Sequence, residues 1–259
     1  MRIADKFREL KAKNEKALIA YLCAGDPSTD ATREYVHALV KGGADIVELG
    51  LPFSDPVADG PTIQAASDRA LEAGMNTDVY FSLAASIKEH IPLVCMTYYN
   101  LIFRRGVEKF VKDCAASGIT GIIVPDLPIE EADDILKACK TYDVDMIFMV
   151  TPVTDKDRMQ KIFSKGSGFI YIVSRLGVTG TRVDVAKSTK EILEKVSTKL
   201  PRAVGFGISD GKQAAEVIAA GADAVIVGSA FVNIIASKNN VEERLEQLAR
   251  ELKAGCSGQ

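Results

Sequence analysis

Apolar residues in this chain gather into short runs at fairly even spacing. Ala17–Ala24, Asp45–Leu49, Pro92–Thr97, Ile119–Val124, Met146–Val150, Phe169–Val173, Ala203–Phe206 and Ala222–Val227 each have the length and composition of a buried strand. Between them the pattern changes to that of amphipathic helices. The first precedes the strands, at residues 2–13. Ser28-Thr29-Asp30 can cap a helix that runs to about Lys41, and Gly42-Gly43 stops it. Further helices are expected at about 62–72, 78–89, 106–117, 129–142, 154–164, 185–198, 210–220, 230–236 and 241–252. In the 129–142 segment Ile135, Leu136 and Cys139 fall on one side.

Regular alternation of strand and helix implies a parallel sheet with both faces covered. Eight such units in 259 residues predict an α/β fold of the closed (β/α)8 TIM barrel type, one domain over 1–259 with a short N-terminal helix. An open doubly wound sheet is the alternative, but no G-x-G-x-x-G follows the first strand.

Composition narrows the function classes. The chain is 47% hydrophobic and 26% charged, with a net charge of −3, which argues against a general binder of nucleic acid or anionic membrane. No apolar run approaches the roughly 20 residues of a spanning helix, and the charged N-terminus lacks the apolar core of a signal peptide. Five scattered cysteines without C-x-x-C, and only two histidines, signal no metal cluster; reduced thiols in a cytoplasmic protein are expected.

Candidate chemistry centres on 45–62, D-I-V-E-L-G-L-P-F-S-D-P-V-A-D-G-P-T. Alternation puts Ile46 and Glu48 on one face of the strand and Val47 and Leu49 on the other. A carboxylate within an apolar strand is costly unless it has a partner or a task. Asp59 lies eleven residues on, in a loop rich in turn formers. The two suit acid/base work on a small molecule; a core ion pair and a turn residue are the other reading. Barrel sites lie at the C-terminal ends of the strands. That rule gathers Glu48, the 51–61 loop, Tyr98, Asp126, Tyr171, the 174–184 loop, Gly207, Gly228 and Ser229 around one mouth. Asp126, between two prolines, reads as a turn and cap residue, Arg175 as solvated, and the Glu242–Lys253 stretch as a solvated helix face. The glycine loops after the sixth, seventh and eighth strands suggest a phosphate cradle, since glycine lets backbone N–H groups approach an anion.

Taken together, these motifs resemble a known family. V-E-L-G-L-P-F-S-D-P-V-A-D-G-P-T-I-Q is similar to the signature of the tryptophan synthase alpha subunit. G-D-P, Y-Y-N-L-I-F, P-D-L-P, S-R-L-G-V-T-G, G-F-G-I-S and V-G-S-A follow in the family's order over nearly the whole chain. The resemblance implies a lyase of tryptophan biosynthesis that splits indole-3-glycerol phosphate, by a retro-aldol step, into indole and glyceraldehyde 3-phosphate. It implies Glu48 as catalytic acid/base, Asp59 as the carboxylate that holds the indole N–H, and Tyr171 beside them. Gly180, Gly207, Gly228 and Ser229 match phosphate contacts. Tyr21, Tyr98, Ile123, Phe206 and Ile226 match the indole pocket; a Phe is frequent at the first, and Met96 and Pro125 also depart from the family's usual residues. Pro52 and Asp55 match a partner-contacting loop, and 174–184 a lid. A beta subunit carrying pyridoxal phosphate is the implied partner, in an alpha2beta2 complex, with no cofactor in this chain. A freestanding lyase, a non-catalytic subunit and another phosphosugar barrel enzyme are the competing readings. A Schiff-base aldolase would need a lysine at a strand end, and the chain shows none there.

Overall fold

The computed structural model describes residues 1–173, 182–205 and 207–257, with side chains for all of these except 182–188. The strands are β1 Ala17–Cys23, β2 Ile46–Gly50, β3 Leu93–Met96, β4 Ile119–Ile123, β5 Asp145–Ile147, β6 Met149–Val150, β7 Ile170–Val173, β8 Arg202–Gly205 and β9 Ala224–Val227. All pair in parallel, in the order β5-β4-β3-β2-β1-β9-β8-β7-β6. The two ends of that order, β5 and β6, are pieces of one run divided at Phe148. The sheet therefore returns on itself as the expected (β/α)8 barrel. The fifth predicted strand is thus two short ones, and the Phe148 carbonyl at the break still accepts from Tyr171 N at 3.0 Å.

The helices are α1 Ile3–Ala12, α2 Thr29–Lys41, α3 Pro61–Glu72, α4 Thr77–Ser86, α5 Tyr99–Arg105, α6 Val107–Ala116, α7 Asp133–Tyr142, α8 Lys156–Lys165, α9 Arg182–Lys195, α10 Gly211–Ala219, α11 Ser229–Ser237 and α12 Val241–Cys256. Local chemistry sets many of their starts. Ser28 caps α2 by accepting from Ala31 N, and Asp155 and Asp210 cap α8 and α10 in the same way. Pro61 opens α3, where a missing N–H costs nothing. One helix, α5, is absent from the sequence reading. Its own N-cap, Tyr98, makes no side-chain cap; the cap is the Asp126 carboxylate, which accepts from Tyr99 N at 2.9 Å across from the β4–α7 loop. Asp126 is the cap residue that was expected, but for a distant helix.

Two apolar layers result. Val47, Leu49 and their outward-facing counterparts pack under the helices. Ile19, Ile46, Val94, Ile123, Ile147, Phe169, Ala203, Ala224 and Ile226 fill the barrel interior. Helix α1 plugs the N-terminal end of that interior with Ile3, Phe7 and Leu10, and the Phe7 and Phe169 rings lie 6.2 Å apart. Gly121 makes room, since a Cβ there would stand 2.7 Å from Ile3 Cδ1. Burial of this kind stabilises by about 1.5–3 kcal/mol per large side chain. Around the same end, Lys253 of α12 reaches Asp45 at 2.9 Å and the Lys16 carbonyl at 3.0 Å. The other Asp45 bond comes from Leu18 N at 2.8 Å. The expectation that the 242–253 stretch is simply a solvated face is corrected here: α12 buries Leu245, Ala249 and Leu252 and turns Lys253 inward.

Candidate active site

The C-terminal ends of the strands enclose a cavity of about 870 Å³. Glu48 lies at its base. The strand alternation that sends Ile46 into the barrel sends Glu48 there too, one layer higher, between Tyr21 on β1 and Val94 on β3. Glu48 is 1% exposed, and its Oε2 has no hydrogen-bond partner among the described residues. Burial, aided by the negative charge of Asp59, pushes its pKa up to about 8. No cation pairs with Glu48 among the described residues. A carboxyl with such a pKa can hold or release a proton close to neutrality.

Asp59 faces the same cavity from the end of the β2–α3 loop. Burial raises its pKa above the usual aspartate value, and the Tyr98 hydroxyl beside it works in the opposite direction. The loop is held in place by several contacts. Ala58 N donates to Tyr98 Oη at 3.0 Å, Gln64 Nε2 donates to the Asp59 carbonyl at 2.7 Å, and Phe53 stacks on Tyr98 with centroids 5.3 Å apart. Two carboxyls thus sit in one pocket in unlike surroundings, which is how such pairs come to divide acid and base roles.

Of the expected ring-pocket residues, Tyr21 and Ile226 line the cavity, joined by Met96, Pro125 and Met149. Ile123 belongs to the interior layer below. Tyr98 turns its hydroxyl to the 58–59 loop and so shapes Asp59 rather than the cavity wall. Tyr171 lines the cavity from β7, its hydroxyl so placed that a Cβ on Gly205 would lie 2.7 Å away. Gly207, with φ +79°, and Gly228 and Ser229 line the opposite rim, at the ends of β8 and β9. Helix α11 begins there with no side-chain cap, which leaves its first N–H groups without a side-chain acceptor at a position that favours anions. By contrast, Asp210 occupies the start of α10. Asn233 also lines the cavity; its spacing of four from Ser229 puts the two on one face of α11, a signal the sequence reading did not use. Gly180, Phe206, Arg175 and the 174–184 loop as far as residue 181 lie outside the described residues.

Pro52 is buried and Asp55 exposed, at the outer edge of the same loop as Asp59. Val57, Val153 and Phe103 are 81%, 73% and 68% exposed, and all three come from segments that follow strand C-termini.

Comparison with known proteins identifies the family. The family model described as tryptophan synthase alpha chain matches residues 7–257. The tryptophan synthase alpha chain of Methanosarcina acetivorans is 62% identical over 257 residues, covering 99% of this chain and 94% of that one. A crystal structure of tryptophan synthase subunit alpha from Legionella pneumophila superposes with a TM-score of 0.90 at 33% identity, covering 98% of both chains. A chain of the tryptophan synthase complex from Pyrococcus furiosus superposes with a TM-score of 0.85 at 35% identity, covering 93% of this chain and 98% of that one. The chain belongs to the tryptophan synthase alpha chain family.

Proposed function

We propose that Glu48 and Asp59 carry out the family's reaction, the cleavage of indole-3-glycerol phosphate to indole and glyceraldehyde 3-phosphate, in tryptophan biosynthesis. The observation that carries this reading is the buried Glu48 carboxyl, one oxygen of which has no hydrogen-bond partner among the described residues, with a pKa of about 8 and a second carboxyl in the same cavity beside a helix N-terminus without a side-chain cap. With the phosphate on Gly207, Gly228 and Ser229, the glycerol chain runs toward β2 and the ring toward Asp59. Protonated Glu48 gives its proton to indole C3. Asp59, ionised, holds the ring N–H and stabilises the positive charge that develops on the ring. The Glu48 carboxylate then takes the proton of the hydroxyl next to the ring as the C3–C1 bond breaks, leaving indole and the aldehyde. Glu48 ends protonated, as it began, so proton balance is kept. Tyr171 stands by as a hydroxyl at the same centre.

The partner is the tryptophan synthase beta subunit, and pyridoxal phosphate chemistry belongs to that subunit in this reading. Asp55 and the exposed Val57, Phe103 and Val153 form the face we assign to it, with Pro52 buried at the root of the same loop. Five buried thiols suit a cytoplasmic protein of one barrel domain. The test is indole release from indole-3-glycerol phosphate, with and without the beta subunit, beside Glu48→Gln. Release that rises with the partner and vanishes in the variant supports both the reaction and the complex. Release indifferent to the partner would favour a freestanding lyase, and none at all would remove the reaction.

A further inference from the structure

Tyr21 lies on β1, the strand between β2, which carries Glu48, and β9, which is followed by Gly228, and β1 bonds to both. Tyr21 pairs in register with Glu48 on β2. On its other side, a Cβ placed on Gly228 would stand 3.5 Å from Tyr21 Cβ. The ring leans over β2 so that its hydroxyl occupies the space a side chain at Gly50 would fill. Gly50 is the next inward position after Glu48, so the hydroxyl sits one layer above the carboxyl, toward the mouth. The arrangement mirrors Tyr171 over Gly205 on the far wall.

The side chain is 7% exposed and its remaining surface faces the cavity. No described residue hydrogen-bonds its hydroxyl, and the side chain lines the cavity, so the hydroxyl is placed to take a ligand group as its partner. Resting on the reaction assigned above, the substrate can be laid out by its chemistry. Its chain has three carbons. The first reacts at Glu48, the third carries the phosphate, and the second bears a free hydroxyl midway between them.

We propose that the Tyr21 hydroxyl binds the hydroxyl of the middle glycerol carbon and thereby sets the chain so that the reacting hydroxyl faces Glu48. Tyr21 is then a substrate-orienting residue, distinct from the ring-pocket role of its aromatic face.

Tyr21→Phe keeps the ring and removes the one atom at issue. In the complex with the beta subunit, kcat/KM for indole-3-glycerol phosphate is expected to fall about tenfold, the worth of one hydrogen bond made in a water-poor site. The control ligand is indole-3-propanol phosphate, which keeps ring and phosphate and has no chain hydroxyl. Its Kd, by calorimetry, is expected to be the same for wild type and Tyr21→Phe, which also shows that the variant is folded. A variant that weakens both ligands alike would reduce Tyr21 to a packing residue and overturn the proposal. Unchanged kcat/KM would overturn it too. Absence of cleavage by the wild-type complex would instead remove the underlying reaction, and the Tyr21 assignment with it.

Discussion

Carboxylates at opposite ends of the barrel sit in unlike surroundings. At the N-terminal end Asp45 and Asp223 have cationic partners. Asp45 is held by Lys253 and Leu18 N, and Asp223 by Lys16 and by Arg202 N at 3.0 Å. An apolar plug from α1 closes the interior below them. At the C-terminal end, Glu48 is buried with an oxygen that has no hydrogen-bond partner among the described residues, and it faces Asp59 across a cavity bordered by the start of α11. The fold thus neutralises Asp45 with a lysine at one end and leaves Glu48 without a cationic partner among the described residues at the other. Residues at the N-terminal end should affect folding and spare chemistry, and residues at the mouth should do the reverse.

The strongest test of that division is Glu48→Gln, which keeps the shape and removes the exchangeable proton. Indole release is expected to fall by about 10³-fold or more, with substrate binding kept in calorimetry. Near wild-type turnover would break the comparison at its most important point. Next comes Asp59→Asn, expected to cost about 10²–10³-fold in kcat because it removes the charge that faces the developing cation. Equal turnover would assign that task elsewhere. At the other end, Lys253→Met leaves Asp45 buried without its cation. Urea unfolding is expected to show a loss of about 2–4 kcal/mol, with kcat/KM per folded molecule unchanged. A loss of turnover at constant stability would blur the two ends into one.

A smaller effect sharpens the same contrast. Glu48 holds a proton in the folded protein up to about pH 8, whereas the unfolded chain loses it near the ordinary value of 4.5. Folding then binds a proton, and the stability tied to this group is lost as pH rises through that window. Glu48→Gln should accordingly be more stable than wild type at pH 8, by about 1–3 kcal/mol, with the gain shrinking toward pH 5. A gain independent of pH would mean that the carboxyl is not strained by its burial.

Much of the architecture was legible because each strand carries its own signal. The inward pair Ile46 and Glu48 follows from alternation alone, and the caps at Ser28 and Asp210 are local. What escaped depends on contacts between distant segments. The cap of α5 lies 27 residues beyond the helix start, so Y-Y-N-L-I-F-R-R shows no start signal of its own. Helix α4 ends at Ser86 rather than near Glu89 because Ile87 turns to an extended backbone, with no glycine or proline to mark it. Lys253 reads as one more charged residue on an amphipathic helix until the fold brings Asp45, 208 positions away, beside it. At the site, motif and resemblance pointed to the carboxyl pair. That a Glu48 oxygen has no partner among the described residues, that Tyr98 serves Asp59 and that Tyr21 reaches over Gly50 are properties of the closed barrel.

The measurement that bears most directly on the account is the titration of the Glu48 side chain itself. Chain labelled with ¹³C at the glutamate carboxyls, compared with Glu48→Gln to identify the resonance, would give it by NMR. A midpoint near pH 8 is expected, moving down in Asp59→Asn as the neighbouring charge is removed while burial keeps it raised. A midpoint in the ordinary carboxylate range in the wild-type chain would contradict it, because Glu48 would then carry no proton to deliver at neutral pH.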